Sequence, residues 1–317
     1  SQRQQSKWVL LGFVSALVYG KTMRSRGLLA PTKRIWHRAW TLYAAQIVLL
    51  FVVIAEVSLG VIKTGQWSYH AFFRSDDFIL QPDRASLHAL LLRFQPAYLD
   101  IIPCYVIFLL VFPAVLAAFA RNVWLAIVPS FGLYLAVQVM GWNLVTFPRD
   151  EGWFFDPLAW QFLFVLGAAF GSGRLKRVEE LLARRWFVAI AAAAALVIAV
   201  IQSSSMLHAT WPGIPALATS ALPTAKSTLA PLRLVSFFLL AVVARRVVPR
   251  DARFLRTDIA RAVARCGQHS LKIFCLGVVL AVMGYILLEQ IGQSPGNQFV
   301  VTVAGLAILL ATAHCLD

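Results

Sequence analysis

Asp100, Arg233 and His269 are the side chains whose types could move a proton or steady a negative charge within an otherwise apolar chain. Asp100 could orient a base or bind a hydroxyl group, or simply cap a helix in favour with its dipole. His269 could act as a base or meet phosphate groups, or again serve as a cap. Arg233, with Lys226 seven residues before it, could hold a carboxylate or an oxyanion, Arg by its bidentate fork. The alternative for both is a cation that reaches from a helix end toward water. Gln161 could donate its amide to a bound molecule beside the stacking ring of Trp160. It could equally make an interhelical hydrogen bond, with Trp160 as an interface anchor. Trp153 stands in the aromatic rim just ahead of them. Glu56 and His37 read as structural.

The elements that must position these groups are centred on Gly152–Gly173. This stretch opens with the rim Trp153, Phe154, Phe155, Asp156 and Pro157. It continues as an apolar helix with Trp160 and Gln161 one turn inside, closes on small residues, and leads to Arg174, Lys176 and Arg177. A mouth, a polar side chain and a positive exit therefore follow one another closely.

Composition fixes the class. Of 317 residues, 60% are hydrophobic and 14% charged, more apolar surface than a water-soluble domain of this length can bury. A polytopic membrane protein can carry it, because lipid is its solvent. The net charge of +15 then reads as loop charge marking the cytoplasmic side rather than a nucleic-acid surface. The four cysteines, Cys104, Cys266, Cys275 and Cys315, have no paired spacing and read as reduced, with no disulfide or metal site. No GxxxxGK[ST], HExxH, CxxC or GxSxG appears, which argues against ATP-driven transport, zinc hydrolysis and Ser-triad chemistry.

About nine apolar segments follow in order: 8–20, 40–62, 98–120, 123–142, 158–172, 186–206, 232–248, 269–288 and 298–315. The expected fold is all-α, a polytopic transmembrane helical bundle. Lys and Arg counted over the intervening loops alternate. The proposed inner loops hold six, one, five and seven, and the outer ones four, one, one and none. That asymmetry puts the C-terminus in the cytoplasm. It leaves 63–97 as an outer loop long enough to cover a mouth. Pro113 should kink its helix. A helix ahead of Trp8 would put both ends in the cytoplasm and give ten.

The words in this frame resemble the OpgC family, inner-membrane proteins that succinylate osmoregulated periplasmic glucans and belong to the wider acyltransferase-3-like transferases. The resemblance rests on Tyr19-Gly20, Arg38-Ala39-Trp40 with Tyr43, and Gln95 through Pro103. It continues with Trp153 through Gln161, Lys226 with Pro231-Leu232-Arg233-Leu234, and Cys266 through Leu271. Relatives of this type have a first helix ending in an Asp-His-like pair, which this sequence does not show. Residues 1–317 are therefore expected to form one integral membrane acyltransferase-like domain lacking its first helix. Ser236 stands where relatives often have a His.

The resemblance implies a membrane O-acyltransferase of the bacterial inner membrane. It implies transfer of succinyl groups from cytoplasmic succinyl-CoA to hydroxyls of a periplasmic glucan, with no cofactor bound. Its partners are then the glucan, the acyl-CoA donor and the bilayer, with no nucleic acid. Such chemistry needs a base for the hydroxyl proton and a stabiliser for the tetrahedral oxyanion. Asp100, Arg233 and His269 are the expected catalytic groups, and Trp153, Trp160, Gln161 and Lys226 the expected substrate-binding ones. Two other readings stay open: a transporter or acyl conduit without covalent catalysis, and an inactive truncated relative.

Overall fold

The computed structural model describes Val9 and residues 11–19, 29–148, 151–210, 228–247 and 257–316. Lys226 lies outside the described residues. The structure is 82% helical, with no strand among the described residues, so the all-α expectation holds. After a helical segment at 11–19 come α1 (Leu29–Thr64), α2 (Ser68–Phe73), α3 (Asp76–Leu80), α4 (Pro82–Leu90), α5 (Ile101–Arg121) and α6 (Trp124–Met140). Then follow α7 (Pro157–Gly171), α8 (Lys176–Leu182), α9 (Arg185–Thr210), α10 (Pro231–Val247), α11 (Asp258–Gln268), α12 (Ser270–Ile291) and α13 (Pro295–Cys315). The outer loop expected at 63–97 is largely helical, broken into α2, α3 and α4.

Several starts are written locally. Asp156 caps α7 by accepting from the Leu158 amide at 2.9 Å, with Pro157 at the first helical position. Ser294 caps α13 in the same way, ahead of Pro295. Thr257 accepts from Ala260 at the head of α11.

The expectation of about nine crossings is corrected. Among the described residues, four helices are long and apolar enough to span a membrane: α1, α5, α12 and α13. A fifth appears only if α7 and α8, bent by 99° at their joint, count as one broken span. The reason is length. α6 and α10 have 17 residues and α7 has 15. At ~1.5 Å per residue they reach roughly 23–26 Å, short of a ~30 Å hydrocarbon core. α9 has 26 residues, but its last third carries the polar run Gln202-Ser203-Ser204-Ser205.

The chain forms two compact units. The first takes residues 1–37, 107–144 and 152–250; the second takes 38–106, 145–151 and 251–317. In the first, the segment 11–19 lies against α7 at backbone distance. A Cβ placed on Gly12, Gly167 or Gly171 would fall within 3.0 Å of the carbonyl of Phe164, Val9 or Phe13 respectively. Gly167 and Gly171 are one turn apart, so one small-residue face admits the other helix's backbone. Phe108, Phe112 and Phe164 fill the neighbouring core, with Tyr19 at its edge. Also in this unit, α9 packs along α10, and Arg245 pairs with Glu179 at 3.1 Å.

In the second unit, α12 meets the C-terminal half of α1 where Gly60 faces Ile286. α13 packs on α11 and α12. It leaves its outer face bare, with Phe299 70% exposed, as a lipid-facing helix does.

Candidate functional site

Asp100 sits at the end of a strap, residues 91–100, that leads from α4 into α5. The strap is fastened by the backbone and by two side chains of α1. Tyr43 donates its hydroxyl to the Leu90 carbonyl at 2.9 Å, and the buried Gln46 donates its amide to the Leu99 carbonyl at 2.9 Å. The Ala97 amide donates to Phe73 at 2.9 Å, and the Phe147 amide to Arg93 at 3.0 Å. Leu92 and Tyr98 have positive φ, 59° and 69°, and so does Arg74 nearby in sequence, at 56°. Such backbone is costly for residues with side chains and persists where the surroundings over-determine it.

What the strap delivers is a half-buried carboxylate. Burial pushes the Asp100 carboxyl up to about 6, with its own backbone amide pulling weakly the other way. A carboxylate with a pKa this close to neutrality, open to part of the solvent, is poised to accept a proton. The Gln46 carbonyl oxygen beneath the strap is buried and unpartnered.

Two residues before Asp100 the strap joins an aromatic group. Tyr98 lies against Phe73 at 6.2 Å, Phe73 against Tyr285 at 5.3 Å, and Phe72 stacks on Tyr285 at 4.1 Å. His70, on the same short helix as Phe72, is 2% exposed and shares a 2.9 Å hydrogen bond with the buried Ser75 hydroxyl. Burial lowers its pKa against the pull of Asp76, so it serves as a neutral anchor of α2.

His269 belongs to the same unit but not to the same place. It joins α11 to α12, as the C-cap of one and the N-cap of the other. Tyr285, in the aromatic group with Tyr98, is sixteen residues further along α12. At ~1.5 Å per residue the two lie roughly 24 Å apart. Asp100 and His269 therefore belong to opposite ends of α12, and the structure does not bring them together.

In the first unit, Gln161 and the chain leading to Arg233 both meet α6. Gln161 and Ser130 bond reciprocally: the Ser130 hydroxyl donates to Gln161 Oε1 at 2.6 Å, and Gln161 Nε2 donates to the Ser130 carbonyl at 2.8 Å. One turn on along α6, the Tyr134 hydroxyl donates to the Leu229 carbonyl at 2.9 Å, and then Gln138 donates to Thr228 at 2.6 Å. Those carbonyls lead directly into the first turn of α10, where Arg233 is half-buried. Gln161 and the lead into α10 thus meet the same side of α6. The amide of Gln161 is taken up by helix packing. The rings of Trp153 and Trp160 are buried, at 2% and 3% exposure, while Phe154 between the rim residues is half-exposed.

Sequence reasoning passed over one residue of this corner. Asp156 is fully buried, and one of its carboxylate oxygens has no partner. Burial pushes its carboxyl up to about 6 against two backbone amides that pull it down. In the sequence it reads only as part of the rim, not as a cap or a buried polar centre. Trp153 Nε1 and Asn143 Oδ1 are likewise buried without partners, and Asn143 donates its amide to the Trp153 carbonyl at 3.0 Å. No group of three or more potential metal ligands occurs among the described residues.

No curated protein and no solved structure matches this chain. The OpgC protein family matches it over residues 8–317, nearly the whole length, and its long apolar helices agree with a membrane protein. The chain belongs to the OpgC protein family.

Proposed function

We propose that this protein is a membrane O-acyltransferase of the bacterial inner membrane that moves succinyl groups from cytoplasmic succinyl-CoA to hydroxyls of a periplasmic glucan. The observation that carries this reading is Asp100. It is a half-buried carboxylate with its pKa pushed up to about 6, held by a fastened and strained strap in a family of this type. In the proposed reaction Asp100 takes the proton of the glucan hydroxyl. The resulting oxygen attacks the thioester carbonyl, and the tetrahedral intermediate collapses with loss of the CoA thiolate. The ester bond forms as the thioester breaks, and the thiolate takes up a proton.

Arg233, with Lys226 as a second cation, is assigned an anionic group of the substrates, because a bidentate guanidinium suits a carboxylate or a phosphate. His269 is assigned the donor's phosphate-bearing end. Its ~24 Å offset from the Asp100 end of α12 is most of a hydrocarbon core, which suits a donor and an acceptor approaching from opposite faces. Under the loop-charge count the Asp100 end faces the periplasm and the C-terminus the cytoplasm.

The test is glucan substitution in a host whose own succinylating activity is deleted. Glucans from cells expressing this chain should carry succinyl esters by mass spectrometry. Those from cells expressing Asp100→Asn at equal membrane abundance should not. Unsubstituted glucan with the protein confirmed in the membrane would overturn the reading, and substitution that survives Asp100→Asn would remove the base from it.

A further inference from the structure

The rim beside Asp100 holds more aromatic surface than a base requires. Phe72 and Tyr285 lie nearly parallel, 12° apart, at 4.1 Å. Phe72 is 47% exposed and Tyr98 46% exposed, so the outer faces of this group remain open. A ring that only meets lipid needs no held backbone and no hydrogen bond, yet Tyr98 has the first and Tyr285 the second. Tyr98 is held at φ 69° between two restrained neighbours, with the Ala97 amide on the Phe73 carbonyl and the Leu99 carbonyl on Gln46. The Tyr285 side chain is hydrogen-bonded to Glu289 one turn on, and Glu289 also accepts from Gln293. Rigid aromatic faces beside carboxylates match a sugar ring, whose C–H face is apolar and whose edge is a row of hydroxyls.

We propose that Phe72, Tyr98 and Tyr285 form the stacking platform for the acceptor, holding one sugar ring so that its hydroxyl meets Asp100. The platform rests on the succinyl-transfer reading for its role but not for its ligand class. Glu289 acts as a positioning residue that fixes the Tyr285 phenol. Tyr98, two residues from Asp100, sets the distance between the held ring and the base.

The experiment uses the full chain purified in detergent and titrated with a linear β-glucan oligosaccharide by calorimetry. Initial rates of succinyl transfer are measured in parallel. Phe72→Ala and Tyr98→Ala should each weaken oligosaccharide binding by roughly tenfold, as loss of a rigid aromatic contact does. Both should raise KM for glucan and leave KM for succinyl-CoA unchanged. Tyr98→Phe, which keeps the ring, should restore binding. Wild-type binding in Phe72→Ala and Tyr98→Ala, or no binding by the wild type, overturns the platform. Transfer with KM for glucan indifferent to both substitutions overturns the platform and leaves the reaction. Binding that depends on both rings, without any transfer, overturns the reaction and leaves the platform.

Discussion

Gly167→Ala tests the closest packing in the molecule. The added Cβ would fall within 3.0 Å of the Val9 carbonyl, a backbone atom that cannot rotate away. Ordinary contact needs 3.4 Å or more, against 2.2 Å here, so Val9 and the segment that follows it have to retreat from α7 by about 1 Å or more. Overpacking of this kind costs ~2 kcal/mol. For a chain of 317 residues that is a fall in Tm of about 3 °C. Gly132→Ala is the matched control: it lies in α6 of the same unit, with nothing within 4 Å of the new Cβ. There the better helix propensity of Ala should stabilise by ~0.5–1 kcal/mol. The assay is thermal unfolding in detergent followed by tryptophan fluorescence. Gly12→Ala should resemble Gly167→Ala, and the double variant should lose less than the sum, because one retreat makes room for both methyls. Equal Tm values for Gly167→Ala and wild type, or an equal loss at Gly132, would refute the backbone contact.

Other outcomes follow from the polar groups. Asp100 has its folded pKa raised from 3.8 to about 6, so the folded state binds the proton more tightly than the unfolded one. Its contribution to stability therefore falls as pH rises from about 4 to about 6 and stays low above that. Succinyl transfer should rise over the upper part of the same range, and Asp100→Asn should abolish transfer while stabilising the protein by up to ~3 kcal/mol at pH 8. A flat pH–rate profile between 5 and 7, or a destabilised Asp100→Asn, would contradict the base assignment. Ser130→Ala removes one of the reciprocal bonds to Gln161 and should lower stability by ~1 kcal/mol with KM for glucan unchanged, measured by unfolding and initial rates. Tyr98→Gly relieves the left-handed backbone and should raise Tm slightly while weakening oligosaccharide binding, which calorimetry and unfolding on one sample can check.

What could be read from the sequence was what is local. Asp156-Pro157 announces a helix start, and the structure has one there with the cap bond in place. The apolar segments from 40 to 315 each found a helix, because lipid or core burial rewards unbroken apolar runs. What misled was treating each run as a crossing. Hydropathy gives the presence of a helix, but α7 at 15 residues and its 99° turn into α8 depend on where the small residues Gly171 and Gly173 let the chain bend. Gly12, Gly167 and Gly171 were visible as small residues, yet their role is a meeting of two segments 155 positions apart in sequence, which no local period encodes. Gln161 reads alike as ligand or packing group until Ser130 is seen opposite it.

The same limit explains why Asp100 and His269 looked like partners. Each is a polar residue at the edge of an apolar run, and a sequence gives no measure of which edge faces which. α12 supplies the measure, since Tyr285 ties one end to the Asp100 strap while His269 heads the other. A base and an imidazole ~24 Å apart cannot share one proton transfer. They can serve one reaction only if its two substrates are long or enter from two sides. A CoA thioester with its phosphates far from its acyl carbon is such a substrate. Loss of His269 should then raise KM for the donor and leave the pH–rate profile intact, whereas loss of Asp100 should remove the profile itself. If His269→Ala instead shifts the profile, imidazole and carboxylate must meet during turnover, and α12 cannot be the fixed spacer that its contacts with α1 make it.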